Sequence, residues 1–386
     1  LMIKQIVKTL DGNEATADVA YNFTEVATIY PITPSSPMAE HVDVWSANGR
    51  KNLFGQPVKL VEMQSEAGAI GAVHGASETG SLCSSFTASQ GLMLMIPVMH
   101  RLSGELKPVV LHIAARTVGT HTMSIFGDHS DVMGCRNTGW AMLCSASVQE
   151  CADLAAVAHL STIKGRVPFM HFFDGFRTSH EIQKIKMLPA EELGKLIDRD
   201  ALYHFKHTGL NPEHPVMRST VTNPDMFFQS REANNPWYQR LPYIVQDYMD
   251  QISELTGRPY HLFDYYGAPD AEHVVIAMGS VTGAIQETID KLCKEGKKVG
   301  FIQVHLYRPF SLEHFMKAMP DTVRTITVMD RTKEPGALGE PLYEDVCAAI
   351  SHVKQDVTVL ACRYGLSSKD VPPASINAVF TNMGSL

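Results

Sequence analysis

The chain has 386 residues, of which 45% are apolar and 19% are charged, and it carries a formal net charge of −8 at pH 7. This length favours two domains rather than one compact core. The acidic balance argues against electrostatic binding to nucleic acid or to an anionic membrane.

The first predicted elements are an apolar, helix-like segment at residues 19–29 and the proline-rich sequence YPITPSSP at residues 30–37. Each proline fixes φ at about −65° and lacks an N–H, so neither a helix nor a central strand can run through this sequence. The hydroxyl of Thr33 is thereby held between two prolines. A proline-rich turn at a sheet edge also explains the sequence, and a functional role for Thr33 needs partners elsewhere in the chain.

From residue 60 to residue 174, short apolar runs such as PVVLHIAA and VPFMHFFD alternate with helical patterns, which predicts a mainly parallel sheet with helices on both faces. Residues 181–251 are polar, rich in Asn and interrupted by prolines, so we predict a long ordered excursion over the surface. From His273 onward, four predicted strands and three helices indicate a second, smaller α/β domain. We therefore predict an α/β fold with two domains, residues 1–258 and residues 259–386.

Glu66 begins the sequence EAGAIGAVHGASETGS, in which four glycines interrupt a helix-compatible pattern. Each interior glycine costs about 1 kcal/mol relative to alanine, so the cluster indicates a face that a helix or a ligand must approach closely. One explanation is tight helix packing, with Glu66 as a first-turn carboxylate stabilised by the helix dipole. The other is a carboxylate in an apolar niche whose protonation is adjustable. Both explanations can hold together.

Arg116 follows the predicted strand PVVLHIAA and therefore lies at its carboxyl end. Ligands of open α/β sheets bind beyond these strand ends, and a guanidinium can bind a carboxylate through two parallel hydrogen bonds. A structural salt bridge is the alternative explanation.

The sequence FGDHSD at residues 126–131 combines two carboxylates with His129. One loop seldom supplies a whole coordination sphere, and Asp128 or Ser130 would serve equally as helix caps, so we predict no metal site here. His171 and His180 indicate metal or acid–base chemistry only if they cluster in space.

The cysteines and the longest apolar stretch exclude further classes of protein. The seven cysteines are scattered and never form a C-x-x-C pair, so they predict neither a disulfide framework nor a zinc or iron–sulfur site. Residues 91–99, the longest apolar stretch, are about half the length needed to span a bilayer. We expect a soluble, cytoplasmic protein, with a hydrogenosome or similar organelle as the alternative location.

Several of these sequences together resemble the N-terminal part of pyruvate:ferredoxin (or flavodoxin) oxidoreductase, a family of thiamine-diphosphate, iron–sulfur enzymes. They are YPITPSSP, VKLVEMQSEAGA, FTASQGLMLMIP, SIFGDHSDVM and VPFMHFFDGFRTSHEIQKI, and the resemblance continues through LTGRPYHLFDYYGAPDAE, LYRPFS and DRTKEPGA. It therefore covers nearly the whole chain. The resemblance implies a pyrimidine-binding thiamine-diphosphate domain followed by a transketolase C-terminal-like domain.

The resemblance also implies three catalytic residues. Glu66 is implied to bind the cofactor by a hydrogen bond to its aminopyrimidine, which favours the imino tautomer that removes the thiazolium C2 proton. Thr33 and Arg116 are implied to bind the substrate, with Arg116 neutralising its carboxylate. The implied reaction is oxidative decarboxylation of pyruvate to acetyl-CoA and CO2, with one-electron transfer through 4Fe–4S clusters to ferredoxin or flavodoxin.

The family's remaining sites are not found in these 386 residues, which contain neither the Gly-Asp-Gly motif of the Mg²⁺–diphosphate site nor a cluster-binding cysteine run. We therefore expect a fragment or subunit that supplies half an active site, forms a homodimer and lacks activity by itself. The alternatives are the same chemistry on another 2-oxoacid or with NADP as acceptor, and a non-catalytic assembly or dimerisation module.

Overall fold

The structure is a computed structural model that describes residues 3–353 and 356–385. The strands are β1 (Ile6–Leu10), β2 (Val26–Ile29), β3 (Lys59–Glu62), β4 (Cys83–Thr87), β5 (Val109–Ala115), β6 (Ala141–Ser145), β7 (Phe169–Asp174), β8 (Gln183–Met187), β9 (Phe263–Gly267), β10 (His273–Ala277), β11 (Val299–Val304), β12 (Leu306–Arg308), β13 (Thr325–Asp330) and β14 (Thr358–Arg363). The helices are α1 (Gly12–Phe23), α2 (Ser36–Ala47), α3 (Glu66–Glu78), α4 (Ser89–Gly104), α5 (Ser130–Gly134), α6 (Val148–Gly165), α7 (Ala190–Lys195), α8 (Arg199–His207), α9 (Pro224–Glu232), α10 (Asn235–Thr256), α11 (Thr282–Lys294), α12 (Leu312–Ala318), α13 (Pro341–Val353) and α14 (Pro373–Gly384).

A seven-stranded sheet in the order β12-β6-β7-β5-β4-β2-β3 forms the centre of the first part of the chain. Its neighbouring strands are parallel except β12, which is antiparallel to β6. Every residue of β4, β5, β6 and β7 is buried, because helices cover both faces of the sheet. The structure confirms the predicted α/β fold with a mainly parallel sheet.

The predicted helix-like segment at residues 19–29 is wrong in its second half. Helix α1 begins after Asp11, whose side chain accepts a hydrogen bond from Glu14 N–H at 2.8 Å, and it ends at Phe23. Residues 26–29 are Val-Ala-Thr-Ile and form β2, which pairs with β3 and β4. β-Branched residues favour a strand, and this pairing overrides the helical spacing.

Residues 181–251 are a surface excursion only in part. Helix α9 has no buried residue, but α10 contacts α6 and buries Leu241, Val245 and Met249, which are spaced four residues apart. Pro236 lies in the first turn of α10 and Pro242 lies inside it, so the prolines obscured this helical spacing in the sequence. Among the described residues, no helix is long and apolar enough to cross a membrane.

A five-stranded sheet in the order β14-β13-β10-β11-β9 forms the second part of the chain. Four strands are parallel, as predicted, but β9 adds a fifth strand antiparallel to β11. The predicted strand KVGFIQVHLY divides at His305, because β11 stays in this sheet whereas β12 joins the first sheet beside β6. The division into residues 1–258 and 259–386 stays a prediction.

Candidate active site

Four parallel strands of the first sheet end at one edge, and each leads into a segment with a polar side chain. Strand β2 leads to Thr33, β3 to Glu66, β4 to Ser89 and β5 to Arg116. Because the carboxyl ends of parallel strands lie at the same edge, the structure places the three predicted site residues there together. Their roles in catalysis stay predictions.

Arg116 directly follows β5 and is 7% exposed. Its Nη1 donates a hydrogen bond to the main-chain oxygen of Thr33 at 3.0 Å, while its buried Nε has no acceptor. Burial lowers the pKa of Arg116, and the nearby Asp131 carboxylate opposes this effect. Among the described residues, no carboxylate forms an ion pair with Arg116. The structure thus shows a guanidinium with an unused donor rather than the alternative salt bridge.

Hydrogen bonds at Pro34 and Ser35 tie the proline-rich segment to helix α1 and to the sheet. Asn13 Nδ2 donates a hydrogen bond to Pro34 O at 2.8 Å. Ser35 Oγ donates to Thr87 O at 2.5 Å and accepts from Ala114 N–H at 3.2 Å. Thr33 itself is exposed, and no described residue hydrogen-bonds its hydroxyl. The segment therefore presents a free hydroxyl from a fixed backbone.

Glu66 is the first residue of α3 and is 6% exposed. The helix is capped by Ser65, whose Oγ accepts a hydrogen bond from Gly68 N–H at 3.1 Å. The Glu66 side chain lies against Gly91 of α4, where an added Cβ would come within 2.5 Å of Glu66 Oε1. No described residue donates a hydrogen bond to the carboxylate. The niche therefore holds a buried acceptor that a ligand can use.

Two of the four glycines in the sequence that begins at Glu66 are not packed against the described residues of this chain. Around Gly71 and Gly75, an added Cβ would meet no atom within 4 Å. The close approach at this site is made instead by Gly91 on the neighbouring helix, which sequence reasoning did not single out. Its position in the first turn after strand β4 was the signal that could have identified it.

The side chains of FGDHSD point to three different partners. Asp128 accepts a hydrogen bond from Ser130 N–H at 3.0 Å, His129 contacts Asp174, and Asp131 accepts from the main chain of Arg116. The described residues contain one set of three possible metal ligands within 4.8 Å of one another, which lies elsewhere and comprises His74, Glu78 and Glu105. Its carboxylate Glu78 already pairs with a lysine and an arginine, Lys107 and Arg218.

Asp174 ends β7 at the same edge and is completely buried. Its carboxylate accepts hydrogen bonds from His129 Nε2 at 2.5 Å, Arg331 Nη1 at 2.6 Å and Ser280 N–H at 2.8 Å. Burial raises the pKa of Asp174, but Arg331 and His129 outweigh this effect and hold it well below its usual range. The cluster connects β7 to the loops that follow β10 and β13, so it joins the two sheets.

Three histidines form a buried hydrogen-bonded row away from this edge. His112 hydrogen-bonds His171 at 2.8 Å and His159 at 2.9 Å, and His171 hydrogen-bonds Ser145 Oγ at 2.8 Å. Burial lowers the pKa of His159 and of His171 to about 3, so these rings are neutral at pH 7. His180 is not part of this histidine row; it hydrogen-bonds Ser179.

Comparisons with known proteins identify the family. Residues 18–250 match the sequence profile described as "Pyruvate flavodoxin/ferredoxin oxidoreductase, thiamine diP-bdg", and residues 271–376 match that of "Pyruvate:ferredoxin oxidoreductase core domain II". A pyruvate:ferredoxin oxidoreductase of Moorella thermoacetica is 60% identical over 376 residues. That alignment covers 97% of this chain and 32% of the relative, so the chain spans about a third of the relative's length.

Two solved structures share the fold. The 2-oxoglutarate:ferredoxin oxidoreductase from Magnetococcus marinus, solved with 2-oxoglutarate, coenzyme A and succinyl-CoA, superposes over 98% of this chain and 65% of its own, with a TM-score of 0.67 and 18% identity. A split-gene transketolase superposes over 97% of this chain and 100% of its own, with a TM-score of 0.53 and 10% identity. The resemblance inferred from the sequence motifs is confirmed, and the chain belongs to the pyruvate flavodoxin/ferredoxin oxidoreductase family.

Proposed function

We propose that this chain forms the pyrimidine-side and substrate-side half of the active site of a thiamine-diphosphate-dependent pyruvate oxidoreductase. The complete enzyme converts pyruvate and coenzyme A to acetyl-CoA and CO2 and passes single electrons through 4Fe–4S clusters to ferredoxin or flavodoxin. The observation that carries the proposal is that Glu66 and Arg116, two buried charged residues at one sheet edge, form no ion pair with a described residue. Burying such charges costs free energy unless a ligand supplies the missing hydrogen bonds or opposite charge.

Arg116 and Thr33 bind the substrate in this proposal. The unused donors of Arg116 bind the carboxylate of pyruvate, and the exposed hydroxyl of Thr33 donates to another oxygen of the same molecule. Because Arg116 also holds the Thr33 carbonyl at 3.0 Å, the two substrate contacts are fixed relative to each other. This pre-organisation lowers the cost of ordering a small ligand.

The niche of Glu66 fits the pyrimidine side of thiamine diphosphate, because it offers a buried acceptor without a donor and Gly91 leaves room for that acceptor. Glu66 accepts a hydrogen bond from the ring and orients it. When bound, thiamine diphosphate supplies the nucleophilic carbon and accepts the electrons released with CO2.

We assign the remaining requirements to other parts of the enzyme. We assign both the Mg²⁺ ion of the diphosphate site and the 4Fe–4S clusters to the part of the enzyme that this chain does not span, since the chain aligns with 32% of the relative. We also propose a cytoplasmic homodimer, in which the isolated chain has no activity.

The test compares initial rates of the complete enzyme with pyruvate and with 2-oxoglutarate, using coenzyme A and oxidised ferredoxin. We expect kcat/KM to be about 100-fold higher for pyruvate, because Arg116 can pair with one carboxylate and the second carboxylate of 2-oxoglutarate would be desolvated without a partner. Equal kcat/KM values for the two acids would contradict specificity for pyruvate and favour the alternative of another 2-oxoacid. NADPH formation with NADP⁺ in place of ferredoxin would assign another acceptor, and no turnover of either acid would favour an assembly module.

A further inference from the structure

Asp131, in the first turn of α5, is completely buried and accepts three main-chain hydrogen bonds. Its Oδ2 accepts from Ser89 N–H at 2.8 Å and from Arg116 N–H at 3.0 Å, and its Oδ1 accepts from Val132 N–H at 2.7 Å. One carboxylate oxygen therefore connects the residues that follow β4 and β5.

Both residues held by Oδ2 lead directly into the candidate active site. Arg116 carries the guanidinium that reaches Thr33. Ser89 has a φ of 52°, a left-handed conformation that is unfavourable for a residue with a side chain, and it lies two residues before Gly91, against which Glu66 packs. Asp131 thus contacts the backbone on both the substrate side and the cofactor side.

We propose that Asp131 is a positioning residue, whose carboxylate fixes the backbone of Arg116 and of Ser89 so that the site binds the carboxylate of a small 2-oxoacid. The inference rests on the proposed function. Asp131 acts through these two residues and contacts neither ligand.

The protonation state of Asp131 decides how firmly its side chain fixes the backbone of Arg116 and of Ser89. Burial raises its pKa to about 7 and Asp128 adds to this effect, although the three N–H donors oppose it. Among the described residues, the guanidinium of Arg116 and the thiol of Cys135, whose pKa burial raises, also interact with Asp131. When the carboxyl group is protonated, it is a weaker acceptor and loses its attraction for Arg116. The hydrogen bonds from Ser89 and Arg116 to Asp131 therefore weaken as the pH falls through 7.

The experiment measures KM and kcat for pyruvate with the complete enzyme between about pH 6 and pH 8, where the ionised fraction of a group with a pKa of about 7 changes roughly tenfold. We expect KM of the unmodified enzyme to rise about fivefold from the higher to the lower pH, with little change in kcat, because the protonated form binds pyruvate about tenfold more weakly. Asp131→Asn should have a KM that is raised about tenfold at pH 8 and no longer depends on pH in this range.

The matched control is Asp128→Asn, which removes a carboxylate from the same loop but leaves the bonds to Ser89 and Arg116 intact. It should retain the KM of the unmodified enzyme at pH 8, and its rise in KM should remain but begin at a lower pH, because Asp128 no longer raises the pKa of Asp131. The proposal is overturned if Asp131→Asn keeps the normal KM at pH 8. It is also overturned if KM of the unmodified enzyme is constant with pH, a result that needs no variant to fold. Absence of pyruvate turnover by the unmodified enzyme would instead overturn the proposed function, and this inference with it.

Discussion

The carboxyl edge of the first sheet carries two groups of buried charged residues that differ in how their hydrogen-bonding capacity is met. Glu66 and Arg116 form no ion pair with a described residue, and Arg116 Nε has no acceptor. At the end of the neighbouring strand β7, Asp174 accepts hydrogen bonds from His129, Arg331 and Ser280. Both groups are almost completely buried.

Burial alone therefore does not separate a binding site from a structural cluster. A buried charge whose partners all come from the chain holds elements together, as Asp174 does for the two sheets. A buried charge without such partners retains hydrogen-bonding capacity for a ligand, which is why we assign binding to Glu66 and Arg116. Substitutions in the two groups should therefore affect different measurements.

The largest effect is expected for Glu66→Gln in the complete enzyme. The amide keeps the size of the side chain beside Gly91 but removes the charge, so kcat for pyruvate should fall about 1000-fold while assembly is unchanged. The control Glu62→Gln changes an exposed carboxylate near the same helix and should leave kcat intact. A kcat for Glu66→Gln close to normal would show that the unpartnered carboxylate is not a catalytic group.

For Asp174→Asn, stability should change instead. Removing this charge leaves Arg331 buried without its partner, so the free energy of unfolding at pH 7 should fall by about 3 kcal/mol in urea titration. Because the partners lower the pKa of Asp174, its contribution is present above the usual value of 3.8 and is lost as the pH falls below it. The control Asp370→Asn breaks an exposed pair with Arg177 and should have little effect. Equal losses in the two variants would contradict the structural role of Asp174.

Arg116→Ala in the complete enzyme should raise KM for pyruvate about 100-fold, since a hydrogen-bonded charge partner for the carboxylate is lost. Steady-state kinetics measures this effect, and Arg101→Ala, which removes an exposed arginine from α4, is the control. If Arg116→Ala reduced stability without changing KM, the guanidinium would belong with the structural group.

The smallest effect is expected for Thr33→Ala, because a neutral hydroxyl contributes a weaker hydrogen bond than a guanidinium. KM for pyruvate should rise about fivefold. Thr220→Ala removes another exposed hydroxyl and should have no effect in the same assay. A larger loss at Thr33 than at Arg116 would reverse our ranking of the two substrate contacts.

Much of the fold could be predicted because buried parallel strands are written in the sequence as continuous apolar runs. This is why β4, β5 and β7 were identified. The motif resemblance identified Thr33, Glu66 and Arg116, and the parallel sheet placed them at one edge. Strand β2 was misassigned, since its four residues extend an apolar pattern whose strand character comes from pairing with β3 and β4.

The sequence by itself determined the family, the α/β class and the chemistry of the candidate residues, because these depend on residue types and on short-range spacing. Only the tertiary structure decided which charges have partners. Ser89 and Arg116 lie 42 and 15 positions from Asp131, yet both donate to the same oxygen. Gly91 of α4 contacts Glu66 of α3, and β12, which follows β11 of the second sheet, pairs with β6 of the first sheet. Such contacts form between segments that are distant in the chain, so local patterns do not specify which residues meet, although the position of Gly91 in the first turn after β4 was a signal for a close approach.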